Sequence, residues 1–398
     1  MSKQMQDAYI VASTRTAVGK APRGAYKSTR PDTLLAHVLQ RVLAQVPAID
    51  AKRVDDVIVG CAMPEYEQGM NVARIGLLLA GLPSSVAGMT INRFCSSGLN
   101  AVSIAADRIR TGEADIMIAA GTESMSMIPM LGRLALNEAV FAKGEHVGIA
   151  YGMGLTAENV AAQWKVSREE QDAFALASHQ KALAAQGNGE FDAEISAITV
   201  HENSPDLAAD TIQTKSRAIP RDEGPRADTS AEGLAKLRPV FAAKGSVTAG
   251  NSSQMSDGAG ASILVSERVL KELNLTPLAR WVGFAVGGVP PEIMGVGPIV
   301  AIPKVLKSTG LKQDQIDWIE LNEAFAAQAL AVIRELGIDP AKVNPLGGAI
   351  ALGHPLGATG AIRTATITHG LKRRKQKYGM VTMCVGTGMG AAGIFESM

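Results

Sequence analysis

Two turns decide the fold of this 398-residue chain: Asn92-Arg-Phe-Cys-Ser-Ser-Gly98 and Gly347-Gly-Ala-Ile-Ala-Leu-Gly-His-Pro-Leu-Gly357. The first lies between the strand-like run Asp56-Val-Ile-Val-Gly60 and a helical run from Leu99 to Ile109, and the strand-like Asp115-Ile-Met-Ile-Ala-Ala-Gly121 follows. The second lies between Asp317-Trp-Ile-Glu-Leu-Asn322 and a helical run from Ala361 to Leu371, followed by Gly379-Met-Val-Thr-Met-Cys384. Positions 56 and 317, 95 and 354, and 121 and 384 are displaced by 261, 259 and 263 residues. Short β-type runs alternating with amphipathic helical runs describe α/β layers. A near-constant displacement of three successive elements predicts duplicated halves about a pseudo-two-fold axis. The alternative is chance similarity of α/β punctuation.

Between the halves, from Met127 to Asn251, the texture changes. Thr156-Ala-Glu-Asn and Ser167-Arg-Glu-Glu170 read as helix starts, the second as a capping box. Polar connections follow around Glu202–Pro205 and Ile219–Thr229. This stretch reads as an inserted, mainly helical domain that covers a site built by the two halves. The expected division is 1–126 for the first half, completed by 252–272, then 127–251 for the insertion and 273–398 for the second half.

Composition narrows the function classes. With 39 Lys+Arg against 38 Asp+Glu, the net charge of +1 gives no field that argues for nucleic acid or a membrane surface. Hydrophobic residues make up 46% and charged residues 19%, enough to bury a large core and exclude general disorder. Three cysteines make no disulfide framework and lack metal-ligand spacing, so a reducing, cytoplasmic setting and no metal are expected. Met1–Ile10 lacks the apolar stretch of a signal peptide. Gly283–Pro303 carries one charge, Glu292, but its five Gly and four Pro argue for a packed loop rather than a membrane span. The basic run Lys372–Lys377 suits a helix C-terminus and solvent.

Much of the excess among the 41 glycines gathers around three candidate residues. Cys95 precedes a helix, where the dipole is expected to lower its pKa and free N–H groups can hold an oxyanion; a buried structural cysteine is the alternative. Of six histidines, His354 alone lies in a glycine-built loop, at the place in the second half that Cys95 holds in the first, as a base would stand to its nucleophile. A satisfied core histidine is the alternative there. Cys384 closes a strand and opens Val385-Gly386-Thr387-Gly388-Met389-Gly390, a turn that offers N–H donors but has no βαβ unit after it to make a dinucleotide site. Asn322 stands at a strand-to-helix junction and is either a site residue or a helix N-cap. Cys61, with no glycine-rich turn after it, reads as core or loop.

Taken together, Cys95-Ser-Ser-Gly98, Asn322-Glu-Ala-Phe325, Gly353-His-Pro-Leu-Gly357 and Cys384-Val-Gly386-Thr-Gly388 resemble the motifs of the thiolases, in order and over essentially the whole chain. The resemblance implies the duplicated five-layered αβαβα thiolase fold, with an inserted loop domain that binds coenzyme A, and assembly as a homodimer or homotetramer. It implies that Cys95, with His354 as base, attacks the keto carbon of a 3-ketoacyl-CoA, and that Cys384 protonates the departing acetyl-CoA carbanion. His354 with a water held by Asn322 would form one oxyanion hole, and the N–H groups of Cys95 and Gly386 a second. Coenzyme A is then a substrate, and no cofactor is permanently bound. By the same resemblance Arg226 lies near the nucleotide, Ser253 beside the pantetheine, and Met153, Met294 and Phe325 at the reactive end; ordinary core filling is the alternative for each Met.

Departures from short-chain biosynthetic members bear on the substrate. Tyr151-Gly-Met-Gly154 stands where those members resemble Tyr-His-Met-Gly, and the segment from Ser126 to Tyr151 is short. With Asp222-Glu-Gly-Pro-Arg226 and Asn251-Ser-Ser-Gln254, these features are more similar to degradative 3-ketoacyl-CoA thiolases. Thiolytic cleavage of medium or long chains in fatty-acid β-oxidation is the expectation. Acetoacetyl-CoA synthesis from two acetyl-CoA is the competing enzyme reading, and a non-catalytic lipid-binding thiolase-like protein the third. A decarboxylating condensing enzyme resembles Cys-His-His instead, against Asn322 and Cys384 here.

Overall fold

The computed structural model describes residues 5–130, 135–142, 144 and 146–398. Parts of Met1–Ile10 and of the 127–251 segment therefore lie outside the described residues. The strands are β1 (Ala8–Arg15), β2 (Gly19–Lys20), β3 (Asp56–Gly60), β4 (Ala87–Ile91), β5 (Ile116–Ser124), β6 (Ile198–Asp206), β7 (Thr211–Ile219), β8 (Ser256–Ser266), β9 (Ala279–Gly288), β10 (Trp318–Leu321), β11 (Tyr378–Val385) and β12 (Met389–Ser397). The α-helices are α1 (Pro31–Ala44), α2 (Val72–Leu79), α3 (Ser97–Arg110), α4 (Met153–Gln163), α5 (Arg168–Gly187), α6 (Ala231–Ala235), α7 (Glu267–Glu272), α8 (Gly297–Thr309), α9 (Ala326–Glu335), α10 (Ala349–Leu352) and α11 (Leu356–Arg374).

The duplication is visible strand by strand. β3 runs parallel to β5, β5 antiparallel to β8, and β8 antiparallel to β1. In the second half β10 runs parallel to β11, β11 antiparallel to β12, and β12 antiparallel to β9. Where β4 flanks β3, a single parallel bridge from Ile319 to Val343 flanks β10. The halves meet where β1 pairs with β9 at Tyr9↔Arg280 and Ile10↔Ala279, closing one ten-stranded sheet. Strands such as β5 and β8 are buried along their whole length, which is why they read as apolar and small-residue runs without alternation.

Register corrects one sequence-based pairing. Asp56 faces Met117 and Trp318 faces Gly379, so both strands are displaced by 262 residues between halves. Gly121 therefore corresponds to Met383, and Cys384 to Thr122. A slip of one residue along a strand exchanges its faces.

α3 and α11 pack against each other between the strands of the two halves. Their approach accounts for several glycines. A Cβ on Gly98 would lie 2.6 Å from the Ala361 nitrogen, one on Gly121 2.7 Å from the Gly357 oxygen, and one on Gly360 would overlap the Leu99 backbone. α1 and α2 pack on the outer side of the first half, with Leu34, Leu35, Val38 and Leu77 in its core. α8 and α9 do so in the second, with Val305, Ala329 and Val332.

The insertion holds α4, α5 and α6, and also a separate β6–β7 hairpin, so the mainly helical expectation is incomplete. Glu202–Pro205, read as a connection, belongs to β6. That ribbon is exposed on both faces over most of its length, and its apolar alternation is confined to Ile198-Thr-Val-His201. Thr156 is not a helix start, because α4 begins at Met153; the Ser167–Glu170 capping box is present. Gly283–Pro303, expected as a loop, runs through β9, a 3₁₀ turn (Pro291–Val296) and the first half of α8, with Pro298 at the helix start and Pro303 inside. No helix among the described residues is long and apolar enough to cross a membrane. The buried Arg15 guanidinium ties the insertion to β1, donating to Glu194 (2.7 Å) and with two nitrogens to Asp222 (2.7 and 3.0 Å).

Candidate active site

Cys95 sits in a 3₁₀ turn, Phe94–Ser96, that runs directly into α3. Phe94 adopts a left-handed φ of 42°, a conformation that needs support in a residue with a Cβ. The support is local. Asn92 Oδ1 accepts from the Phe94 amide (2.8 Å), and Ser97 Oγ accepts from the Arg93 amide (2.8 Å) while donating to the Phe94 carbonyl (2.7 Å). The turn so braced holds the Cys95 thiol 8% exposed, on the wall of a cavity of about 440 Å³.

The expected drop in the Cys95 pKa is not found. Burial pushes it up to about 11, although the amides of Gly386 and of Cys95 itself point at the sulfur and pull the other way. The helix dipole acts on a thiol that has lost its water, and desolvation wins. Cys95 rests as a neutral thiol at pH 7 and needs a base at the moment of attack. The two amides are those named from the sequence for an oxyanion hole, and they do converge here.

Cys384 lies fully buried near the end of β11. Its pKa stands well above the ordinary thiol range, first through burial and then through the charge that Cys95 would carry on losing its proton. It packs with Ala157, Val247, Met294, Ala324 and Phe325, and Met153 borders the same cluster.

His354 stands between α10 and α11, after Gly353 at φ 91°, where a side chain would be strained. Its ring Nδ1 is 2.6 Å from Thr359 Oγ1 and its Nε2 is 3.3 Å from Asn322 Nδ2. Its amide donates to the Gln254 carbonyl (3.2 Å) and to Ser256 Oγ (3.1 Å). Burial, then Arg363, lowers its pKa to about 3, so the imidazole is neutral. With Asn322 donating to Nε2, the proton sits on Nδ1 and is given to Thr359. Asn322 caps no helix, since α9 starts at Ala326 behind Phe325. Its Oδ1 is buried with no hydrogen-bond partner among the described residues.

The structure gathers most of the residues singled out from the sequence. Cys95, Gly386 and Met153 line the first cavity, with Ala62, Met63, Phe94, Leu136, Ile149 and Leu356 making its wall largely apolar. Arg226 lines a second cavity of about 400 Å³ with Lys20 and His179. Ser253 lines neither cavity, and its amide donates to the Ala324 carbonyl (2.9 Å). Gln254 links the two regions, because its side chain borders the second cavity while its carbonyl holds the His354 amide. Cys61 is buried core, as expected.

Several residues of the site escaped the sequence reading. Thr359 fixes the His354 ring. His179 accepts from the Arg226 amide (3.2 Å), and burial, then the Arg226 and Lys20 charges, lowers its pKa to about 4. Glu323 is buried and holds Ser178 (2.7 Å), Asn344 (2.8 Å) and the Ile350 amide (3.2 Å) below the His354 loop. Burial raises its pKa. The Asn322-Glu-Ala-Phe motif could have pointed to Glu323; nothing in the local sequence marks Thr359 or His179.

Comparison with known proteins points to one family. The family description "Thiolase, N-terminal domain" matches residues 8–268, and "Thiolase, C-terminal domain" matches 275–397. A 3-ketoacyl-CoA thiolase of Bacillus subtilis is 50% identical over 98% of this chain and 100% of its own. The human peroxisomal 3-ketoacyl-CoA thiolase is 46% identical over 98% and 91%. Among solved structures, an acetyl-CoA acetyltransferase of Bacillus anthracis superposes with a TM-score of 0.90 at 41% identity, covering 100% of both chains. The dimeric peroxisomal thiolase of Saccharomyces cerevisiae superposes at 0.88 and 44%, covering 99% and 98%.

Proposed function

The chain belongs to the thiolase family, and from that premise we propose that it is an acyltransferase that cleaves 3-ketoacyl-CoA with CoA in fatty-acid β-oxidation. One observation carries the chemistry. The amides of Cys95 and Gly386 converge on a buried thiol that opens onto an apolar cavity, and a second buried thiol lies close enough to raise its own pKa.

In the forward direction neutral His354 takes the Cys95 proton as sulfur adds to the keto carbon, and the resulting oxyanion accepts from the Cys95 and Gly386 amides. The bond between C2 and C3 breaks, leaving the shortened acyl group on Cys95. The electron pair departs as the acetyl-CoA enolate, held by His354 and a water on Asn322, and Cys384 supplies its proton. A fresh CoA thiol then takes the acyl group and frees Cys95. Buried Asn322 Oδ1 supports this reading, as an acceptor with no protein partner.

Coenzyme A enters along the second cavity. Arg226 faces the nucleotide, Ser253 the pantetheine, and Met153, Met294 and Phe325 the reactive end. Residues 127–251 form the CoA-binding insertion. The protein works in the cytoplasm as a homodimer or homotetramer and holds no permanent cofactor.

Initial rates on a chain-length series of 3-ketoacyl-CoA esters test the substrate class. Medium and long chains are expected to surpass acetoacetyl-CoA. Strong preference for acetoacetyl-CoA would instead support the synthetic role suggested by the acetyltransferase likeness. Cys95→Ala is expected to abolish the acyl-enzyme seen by intact mass while CoA esters still bind, and surviving turnover would remove Cys95 as nucleophile.

A further inference from the structure

Glu123 takes no part in the chemistry above, yet its carboxylate gathers several separate pieces of the site's walls. It is the last residue but one of β5 and only 1% exposed. Oε2 accepts from the Ala62 amide (2.7 Å) and the Gly357 amide (2.8 Å). Oε1 accepts from the Met63 amide (3.2 Å) and from the Gln68 side chain, with the Cys61 thiol 3.9 Å away. Burial pushes its pKa up to about 7, against the pull of the Ala62 and Gly357 amides.

These donors come from three places. Ala62 and Met63 follow β3 and line the cavity beside Cys95. Gln68 closes a 3₁₀ turn, Tyr66–Gln68. Gly357 is the second residue of α11, three positions after His354, where the amide has no partner within its own helix. A carboxylate there is favoured by the helix dipole and accepts at both oxygens.

We propose that Glu123 is a positioning residue of the acyl-transfer reaction, its carboxylate clamping the Ala62–Met63 cavity wall to the first turn of the helix that follows His354. The inference rests on the thiolase reading. Acylation needs the keto carbon within reach of Cys95 and the imidazole at once, and the wall and the base belong to different halves of the molecule. Small misplacements of such groups are expensive in rate, by about 10²-fold for an ångström.

Glu123→Gln keeps the volume and breaks the clamp. Either orientation of the amide turns its NH₂ toward N–H donors, Ala62 and Gly357 on one side or Met63 and Gln68 on the other. Thiolysis of a long 3-ketoacyl-CoA is measured for both proteins, together with alkylation of Cys95 by iodoacetamide followed by peptide mass. The variant is expected to lose about tenfold or more in kcat. Its KM for CoA should stay within about twofold, because none of the Glu123 partners lines the Arg226 cavity. Cys95 should alkylate faster at pH 8.5, since the Glu123 charge raises its pKa.

Unchanged kcat overturns the inference, and so does a loss of kcat with an equal rise in the KM for CoA or with slower alkylation, the marks of general damage. Should the variant fail to fold, Gln68→Leu removes one donor to Glu123, together with the Gln68 bonds to the Met63 carbonyl and the Ser124 amide, and is expected to lower kcat about threefold; no change there overturns the inference equally. A wild-type protein without thiolysis would overturn the reading of the reaction itself, a result distinct from an active wild type matched by its variant.

Discussion

At equal depth the two halves of the molecule end their strands on different chemistry. In register, Gly60 at the end of β3 and Cys61 after it correspond to Asn322 and Glu323 after β10, and Thr122 and Glu123 of β5 correspond to Cys384 and Val385 of β11. Thr122 donates to the Pro31 carbonyl (2.8 Å) at the start of α1 and so serves the packing of the first half. Cys384 at the matching place shares its cluster with Met294 and Phe325. The central helices diverge in the same way, α3 behind a cysteine and α11 behind a histidine. One backbone plan offers the same positions twice. On the mechanism proposed above, the first half gives most of its positions to holding the chain and keeps one nucleophile, while the second gives three side chains to proton and charge handling.

The sharpest way to break this division is to remove chemistry from the second half and leave the nucleophile alone. Cys384→Ala should lower overall cleavage by about 10³-fold, as loss of a placed proton donor does, while Cys95 is still acylated by a saturated acyl-CoA. Stopped-flow acylation and steady-state cleavage measured side by side separate the two, and a parallel fall in both would place Cys384 in the acylation step. Asn322→Ala should cost less, about 10²-fold in kcat, through the oxyanion it supports. Loss confined to KM would show that Asn322 binds substrate without acting in the transition state.

How much of this was legible in the sequence differs between the helices and the charges. The His354 turn was readable because glycine and proline mark its backbone, the Cys95 turn because a cysteine and two serines stand at a helix start, and the repeat because buried strands leave apolar runs. The β6–β7 ribbon was not, since beyond Val200 both its faces meet water and the four alternating residues before that are too few to mark a strand. Glu123 was hidden for the opposite reason. Thr122-Glu-Ser124 looks like a polar strand exit, and only the fold brings Ala62, Gly357 and Gln68 around it. The Cys95 pKa was misjudged in sign because adjacency shows a dipole but not the loss of solvent.

Glycine carried a mixed message. Gly353 does serve the loop that aims His354, but Gly98 and Gly360 let the two halves touch. Gly360→Ala presses a methyl onto the Leu99 backbone and should destabilise the fold by about 1–3 kcal/mol, lowering the melting temperature. Gly187→Ala at the end of α5, where a Cβ meets nothing, is the control and should be neutral or stabilising by about 0.5 kcal/mol. Equal melting shifts for both would mean that the central helices are free to move apart.

The smallest expected effect tests the second half's hold on its own base. Thr359→Val keeps the shape beside Nδ1 and removes the acceptor that fixes the imidazole with its proton on Nδ1. The loss of one buried hydrogen bond, about 1 kcal/mol, predicts a fall of about fivefold in kcat. The folded pKa of His354, about 3, lies below its ordinary 6.5, so the unfolded chain binds a proton that the folded one refuses. This contribution to stability is complete above pH 6.5 and is lost as the pH falls toward 3. Replacing the threonine removes the imidazolium's nearest acceptor and leaves the burial in place, so the same acid-side loss should persist in the variant. Denaturant midpoints between pH 4 and 7 check this. A variant whose acid sensitivity vanished would show that Thr359, and not burial, sets the charge of the base.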